Sequence, residues 1–311
     1  MHLKHADSNG LLLDVSADRL VVKAGNSKLA ERELVAPLVK PVVKWPGGKQ
    51  WLAAASPHLI PANWIGRYYE TFAGGAALFF ALAPARATLS DRNIELIGTY
   101  RVIRRDVEAV IRLLNRYPYN EEFFYEMRGA RPRSESAIAA RFLYLNRTCW
   151  NGLYRVNRDG QFNTPFGRFT NPTICDADRL RASARVLWGV KLRDGDFAQI
   201  VADARSGDLV YFDPPYITGH QRNGFLKYNS PLFSWADQQR LAETAKKLTK
   251  RGVHVLISNA AHSSIVRLYL GFHRYRVRRN SLIAGPVESR GSVTEILLSS
   301  YPILNHASEV V

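Results

Sequence analysis

The run Leu209-Val210-Tyr211-Phe212, followed at once by Asp213-Pro214-Pro215-Tyr216, limits what this chain can fold into more than any other stretch. Four apolar residues bounded by a turn signal read as a buried parallel strand, and its carboxyl end is where open α/β sheets bind ligands. The two prolines remove two backbone donors and fix φ twice, which leaves the Pro214 carbonyl free to accept a hydrogen bond. Beside the Asp213 carboxylate it makes a second acceptor, and Tyr216 adds a flat face for a planar ring. An exocyclic amine on such a ring, as in a nucleobase, fits this turn. Asp-Pro-Pro is also an ordinary turn former and Tyr216 an ordinary core aromatic, so the turn alone leaves both readings open.

At 311 residues the chain can form one large domain with a substantial insertion, or two domains, and a mixed α/β protein is expected. A hydrophobic fraction of 46% excludes wholesale disorder, and no apolar stretch approaches the roughly 18 residues a membrane span needs. The apolar cluster Leu11-Leu12-Leu13 is too short for a secretion signal. A soluble protein of the cytoplasm is therefore expected. Cys149 and Cys175 are the two cysteines, without metal-ligand spacing, so neither a disulfide framework nor a metal site is expected. The net charge of +16 is large for an enzyme of small metabolites and fits a polyanionic partner such as nucleic acid.

Residues 1 to about 36 read as a hairpin, Leu11 to Val15 and Leu20 to Lys23 around Ala17-Asp18, followed by a helix-compatible segment from Lys28 to Leu34. Pro37 and Pro41 introduce a basic loop, Lys44-Trp45-Pro46-Gly47-Gly48-Lys49, whose glycines permit close backbone approach while Trp45 and the lysines supply a stacking face and charge. A plain surface turn fits the same residues. Arg67 to Glu70 then reads as a strand, Thr71-Phe72-Ala73-Gly74-Gly75 as a tight turn, and Ala76 to Leu82 as a small-residue helix ended by Pro84. Strand, glycine turn and helix form a nucleotide-site arrangement, in which the helix amino terminus favours a carboxylate as readily as a phosphate. The next strand, Ala87 to Ser90, ends in Asp91, roughly 20 residues on, where an acid can accept hydrogen bonds from ribose hydroxyls. An adenosine-containing ligand is indicated, with a solvated loop aspartate as the alternative for Asp91.

From Asn93 to about Arg185 helical patterning replaces the sheet rhythm: Ile94 to Asn115, Glu121 to Arg128, and Ser136 to Leu145 behind capping-type Ser134 and Ser136. This reads as an inserted helical subdomain. Its distal part, Leu145 to Arg168, interleaves arginines, asparagines and aromatics with one acid, and turns at Gly152, Gly160 and Gly167. Arginine suits guanine edges or phosphates, asparagine suits adenine edges, and aromatics can wedge into a base stack. For any single residue here, a polar hairpin with solvated arginines is the competing reading.

The α/β rhythm then returns, with a strand at Val190 to Arg193 leading to Asp194-Gly195-Asp196-Phe197, and another at Asp208 to Phe212. The polar loop from Ile217 to Ser234 is long enough to be a lid. Ser234, with Asp237 three residues on, starts an amphipathic helix running to Lys250. Val253 to Ser258 is the next strand, and Tyr275 to Arg279 with Ser292 to Leu298 form a closing strand pair joined by a polar, glycine-containing loop. His254 reads as a strand residue and His220 and His262 as loop residues; no serine-nucleophile motif is visible.

Together, Lys44 to Lys49, Thr71 to Gly75, Leu145 to Arg168 and Asp213-Pro214-Pro215-Tyr216 resemble the Dam-type (D12 class) DNA adenine-N6 methyltransferases, from roughly residue 37 to 300. The four motifs in this order are specific jointly. The resemblance implies a Rossmann-like α/β methyltransferase sheet with an inserted helical target-recognition subdomain. It further implies S-adenosyl-L-methionine as donor, double-stranded DNA as substrate, and transfer to adenine N6 by a protein acting as a monomer, without metal or membrane. By matching position, Trp45, Gly48, Lys49, Thr71, Phe72, Gly74, Gly75, Asp91, Asp196, Phe197 and Asp213 fall at cofactor positions, and Asp213, Pro214 and Tyr216 where the family holds the target adenine. Trp150 falls at an inserting aromatic, and Arg147, Asn151, Leu153, Arg155, Asn157, Pro165 and Arg168 at base or phosphate positions. That segment is most similar to members acting on GATC, so GATC is the expected target. The resemblance makes residues 37–98 and 186–311 the catalytic domain and 99–185 the recognition subdomain, with no counterpart for 1–36. Cytosine-N4 methylation follows the same amine logic, and a silent DNA-binding regulator would share the fold.

Overall fold

The computed structural model describes residues 11–15, 19–24, 27–33, 39–61, 64–157, 160–216, 233–280 and 292–303. In chain order come β1 (Leu11–Val15), β2 (Arg19–Ala24), β3 (Ser27–Glu33), α1 (Gln50–Leu59), β4 (Tyr68–Glu70), α2 (Ala77–Leu82) and β5 (Ala87–Asp91). Four helices then interrupt the alternation: α3 (Ile94–Leu114), α4 (Glu121–Gly129), α5 (Glu135–Thr148) and α6 (Ala177–Val186). It resumes with β6 (Lys191–Asp194), α7 (Phe197–Ile200), β7 (Leu209–Phe212), α8 (Trp235–Lys250), β8 (His254–Ala260) and α9 (Ser263–Leu268), and closes on β9 (His273–Asn280) and β10 (Ser292–Ser299). This is the expected mixed α/β fold, a Rossmann-like alternation interrupted by helices. Among the described residues no helix is long and apolar enough to cross a membrane.

The chain divides into two compact units, Met1–Val35, Ala54–Tyr69 and Val201–Val311 in one, Ala36–Ala53 and Glu70–Ile200 in the other. In the first, strands follow the order β3-β2-β1-β9-β10-β8-β7-β4. β7 and β8 are parallel, with Phe212 beside Ile257. All four β7 residues are buried, as a continuous apolar run requires of a strand covered on both faces. β10 is antiparallel to both β8 and β9, the closing pair read from the sequence. The β1–β2 hairpin is present, Val15 opposite Leu20, and β1 runs parallel to β9. The segment from Lys28 to Leu34, expected to be helix-compatible, instead supplies β3, antiparallel to β2. Its lysine, leucine, alanine and glutamates are good helix formers, but propensity is a weak prior and pairing to a ready strand overrides it.

Ser234 and Asp237 close the expected capping box on α8: Ser234 Oγ accepts the Asp237 N–H at 3.1 Å, and Asp237 Oδ2 accepts the Ser234 N–H at 2.9 Å. Burial alone would raise the Asp237 carboxyl, but the Ser234 N–H, the Arg240 guanidinium and the Ser234 hydroxyl outweigh it and bring it down to about 2. The folded value lies below the unfolded one of about 4, so the stabilisation is present at neutral pH and is lost as pH falls through that interval. Asp237→Ala is expected to cost about 1 kcal/mol at pH 7. Urea unfolding of variant and parent should converge as the pH approaches 2.

In the second unit β5 and β6 are parallel, with Asp91 beside Asp194. The four-helix insertion packs on an apolar stripe of α3 that buries Leu96, Ile97, Tyr100, Ile103, Val110 and Ile111. Asn93, Asn120, Ser134 and Asp176 accept N–H groups in the first turns of α3, α4, α5 and α6, which sets their starts. α3 breaks its helical geometry at Asp106 (φ −150°, ψ 67°), whose carboxylate accepts the Ala109 N–H and restarts the helix. His254 is a β8 residue and His262 caps α9, while His220 and the loops 217–232 and 281–291 lie outside the described residues.

Candidate active site

β7 delivers Asp213 to its carboxyl end, and Pro214-Pro215 cannot continue the ladder. The two proline carbonyls differ in use. Gln238 of α8 reaches the Pro215 carbonyl at 3.4 Å and is itself held by Asn259 of β8 at 3.2 Å, whereas no described residue donates to the Pro214 carbonyl. The Tyr216 hydroxyl donates to Glu295 Oε2 at 3.0 Å and lies 3.5 Å from Asp213 Oδ1. Burial, then the charges of Asp213 and Glu295, push this phenol well above its ordinary value, so it stays a protonated donor throughout the physiological range. Tyr216 is thus anchored at its far end, with part of the residue exposed. Glu295, 2% exposed, had no place in the motif reading. A lone acid in the apolar strand Val293-Thr294-Glu295-Ile296-Leu297 was its only signal.

In the second unit the glycine turn is fixed by its own acid. Gly74 adopts φ +46° and donates its N–H to Asp91 Oδ2 at 3.0 Å, while Asp91 Oδ1 accepts the Asn93 N–H at 2.9 Å. The Tyr100 hydroxyl donates to the Gly74 carbonyl at 2.8 Å. Burial raises the Asp91 carboxyl and the N–H groups of Asn93, Gly74 and Arg92 oppose it. Asp91 is therefore no solvated loop residue: it closes β5 and is held by backbone N–H groups of the turn around it. The anion at the start of α2 is the chain's own: buried Glu70 accepts the Phe79 N–H at 3.2 Å, where a ligand carboxylate was read. Thr71 Oγ1 and Ser90 Oγ are buried without a hydrogen-bond partner among the described residues. Phe72 and Phe197 lie 5.6 Å apart, and Asp196 is 3.5 Å from Arg92, so the β5 and β6 ends bring together the residues assigned to an adenosine ligand.

The loop between Lys44 and Lys49 belongs to the same unit. Buried Lys49 donates its ammonium to the Gly47 carbonyl at 2.7 Å, and the Gly48 N–H closes the turn on the Trp45 carbonyl at 3.0 Å. The Trp45 ring lies parallel to Tyr154 at 6.0 Å.

The segment from Leu145 to Arg168 forms an irregular hairpin, bridged at Cys149–Phe166 and Val156–Phe162. Trp150 begins a short 3-10 turn, its N–H on the Pro165 carbonyl at 2.9 Å and its residue 56% exposed, as an inserting aromatic has to be. Asn151 is exposed at φ +55°, Leu153 is half-buried, and Pro165 is exposed. Arg155 Nε donates to Asn163 Oδ1 at 2.8 Å, and the Asn157 N–H to the Gln161 carbonyl at 2.8 Å. Arg168 is 3.6 Å from Glu121 with 83% of its side chain exposed. Arg147, read from the sequence as a DNA contact, is turned inward: it donates to the Val42 carbonyl at 2.7 Å, and burial lowers its pKa. Among the described residues no group of three or more His, Cys, Asp or Glu could hold a metal ion.

A family model described as D12 class N6 adenine-specific DNA methyltransferase matches residues 45–283. The chain belongs to that family. Type II methyltransferase M1.LlaDCHI of Lactococcus lactis subsp. cremoris is 37% identical over 273 residues, 85% of this chain and 96% of the relative. Type II methyltransferase M.MjaIII of Methanocaldococcus jannaschii is 33% identical, over 85% of this chain and 99% of its own. A DNA adenine methylase of Vibrio cholerae is 32% identical, over 85% and 96%. The protein is thus an adenine-specific DNA methyltransferase, as the four motifs implied, and it needs a methyl donor. The glycine turn of this methyltransferase fits a nucleoside donor on its own features: Thr71 Oγ1 is buried and unpartnered among the described residues, and the Gly74 backbone lies too close to Trp45 for any side chain.

Proposed function

We propose that the enzyme methylates N6 of adenine within GATC in double-stranded DNA, as a monomer in the cytoplasm, with S-adenosylmethionine as donor. The observation that carries this is the pair of acceptors at the β7 turn, the Asp213 carboxylate and the Pro214 carbonyl left open by the described residues, next to a Tyr216 anchored by Glu295. The amine lone pair of adenine is delocalised into its ring, so N6 is a poor nucleophile. Two acceptors on its two hydrogens favour a tetrahedral nitrogen and free the lone pair. Adenine flipped from the duplex stacks on Tyr216 and gives those hydrogens to Asp213 and Pro214. S-adenosylmethionine, when bound, supplies an electrophilic sulfonium methyl. Asp213 takes the proton after the methyl has moved, because a carboxylate is too weak a base to deprotonate a neutral aromatic amine beforehand. Positioning and electrostatics supply the acceleration.

The donor's contacts are assigned to Trp45, Gly48, Lys49, Thr71, Phe72, Gly74, Gly75, Asp91, Asp196, Phe197 and Asp213. The residue ranges 37–98 and 186–311 act in catalysis and 99–185 in target recognition. GATC rests on the likeness of the Leu145-to-Arg168 segment to members with that target. The test is to incubate the purified enzyme with donor and plasmid, digest to nucleosides and weigh them, then sequence the modified sites. N4-methylcytosine, or N6-methyladenine outside GATC, overturns the proposal.

The two arginines are expected to differ. Arg155 is held by Asn163 as a fixed planar fork, so Arg155→Ala should narrow the gap between cognate and scrambled duplex by about 1–3 kcal/mol. Arg168 projects into solvent with a loose ion pair, so Arg168→Ala should weaken both duplexes alike and lower the salt slope of binding by about 1. Titrations at several salt concentrations decide it.

A further inference from the structure

The donor loop and the recognition hairpin are joined by contacts that neither site requires for its own chemistry. Asn146, fully buried at the end of α5, grips one peptide unit on each side of Lys44: its Oδ1 accepts the Lys44 N–H at 2.8 Å and its Nδ2 donates to the Lys44 carbonyl at 2.7 Å. The same Nδ2 lies 3.5 Å from the Gly152 carbonyl, in the turn that carries Trp150. One side chain, 102 residues along the sequence from Lys44, therefore fixes the first residue of the donor loop to the turn bearing the inserting aromatic. The approach is close on the other side too. Gly152 sits at φ +64°, and a Cβ there would lie 2.6 Å from Lys44 Cδ.

Trp45 extends the link in both directions. One side of its ring meets the glycine turn, where a Cβ on Gly74 would lie 2.5 Å from Trp45 Cδ1. Its other contact is Tyr154, stacked in a nearly parallel plane at 15° between ring planes. Tyr154 is itself immobilised by Phe142 at 4.5 Å and Phe162 at 5.1 Å, and by a hydrogen bond from its hydroxyl to Glu95, which also pairs with buried Arg141. A chain of contacts without a gap thus runs from Gly74 through Trp45 to Tyr154, and from Lys44 through Asn146 to Gly152.

We infer that Asn146 and Tyr154 are positioning residues that couple methyl-donor binding to duplex recognition. This rests on the reading of the Gly74 turn as the donor site and of the Trp150 turn as the DNA site. A donor that settles against Gly74 and Trp45 fixes the loop, and through Asn146 and Tyr154 it fixes the hairpin. Donor and duplex then favour the same arrangement of loop and hairpin, so each binds more tightly when the other is present. Linkage makes the effect reciprocal, so cognate duplex tightens the donor site by the same factor.

The test uses S-adenosylhomocysteine, the demethylated donor, which binds without turnover. Its dissociation constant is measured by calorimetry on the free enzyme and on the enzyme saturated with a GATC duplex, for wild type, Asn146→Ala, Tyr154→Leu and Tyr154→Phe. The wild-type ratio is expected within about 5–150-fold. Asn146→Ala and Tyr154→Leu should bring it close to unity, while Tyr154→Phe, which keeps the ring and loses only the hydroxyl, should preserve it. A purely architectural role would change melting temperature and leave the ratio intact. Thermal unfolding identifies which variants are folded, and if Asn146→Ala is not, Tyr154→Leu decides alone. A wild-type ratio of one, or a folded Tyr154→Leu with the full ratio, overturns the inference. No binding of S-adenosylhomocysteine to free or DNA-bound wild type would remove the donor-site reading, and the inference with it.

Discussion

Asp213→Ala is expected to lower the single-turnover methylation rate by about 10²–10³-fold, with duplex affinity changed far less. The asymmetry follows from what the carboxylate does. In the ground state neutral N6 donates one hydrogen bond to the Asp213 carboxylate; as the methyl transfers, the nitrogen becomes cationic and that hydrogen bond becomes an ion pair. Only the part that grows along the reaction contributes to rate. Asp213→Asn keeps an acceptor oxygen but loses the charge and the eventual proton sink, so it should fall between alanine and wild type. Rapid-quench measurement with labelled donor on a GATC duplex is the check. Near wild-type rates in the alanine variant would remove Asp213 from the reaction.

Gly74→Ala is the second large effect, and it separates backbone geometry from composition. Gly74 holds φ +46°, a conformation that costs an L-residue roughly 1–2 kcal/mol. Its Cβ would also enter the Trp45 ring at 2.5 Å, and Trp45 has Tyr154 on another side, so the ring cannot simply retreat. We expect a stability loss of about 2 kcal/mol or more and at least about tenfold weaker S-adenosylhomocysteine binding. Gly75→Ala is the matched control for stability, since its Cβ would meet the Val43 carbonyl at 3.4 Å, ordinary contact, without a positive φ. Denaturant unfolding and calorimetry on the pair test this. Equal stability losses at the two positions would show that neither the positive φ nor the Trp45 contact sets Gly74 apart.

The parts of this site that were legible in the sequence are those encoded by neighbours in the chain. An apolar run ended by two prolines can only be a strand stopping at a turn, and Ser234 with Asp237 spells out its own cap. Asp91 was found by spacing, but its bonds to Gly74 and Asn93 were not, because they depend on how the turn folds back. Glu295 reaches Tyr216 from a strand 79 residues away, and no local pattern announces that. Arg147 is the converse case: the basic, aromatic segment around it suggests an outward-facing arginine, and nothing local announces its hydrogen bond to the Val42 carbonyl, 105 residues away. The strand at Ser27–Glu33 was misread for the same reason, its conformation being set by β2 rather than by its own residues.

That amino-terminal meander also changes how the molecule meets its own copies. Without it β9 would be the outermost strand of its unit, presenting eight residues of unpaired backbone as a template for another chain. β1 occupies that ladder, and the position passes to β3, whose Ser-Lys-Leu-Ala-Glu-Arg-Glu sequence places four charges in seven residues. Charged outer strands resist intermolecular pairing. A border strand of this composition disfavours pairing with the edge of another sheet.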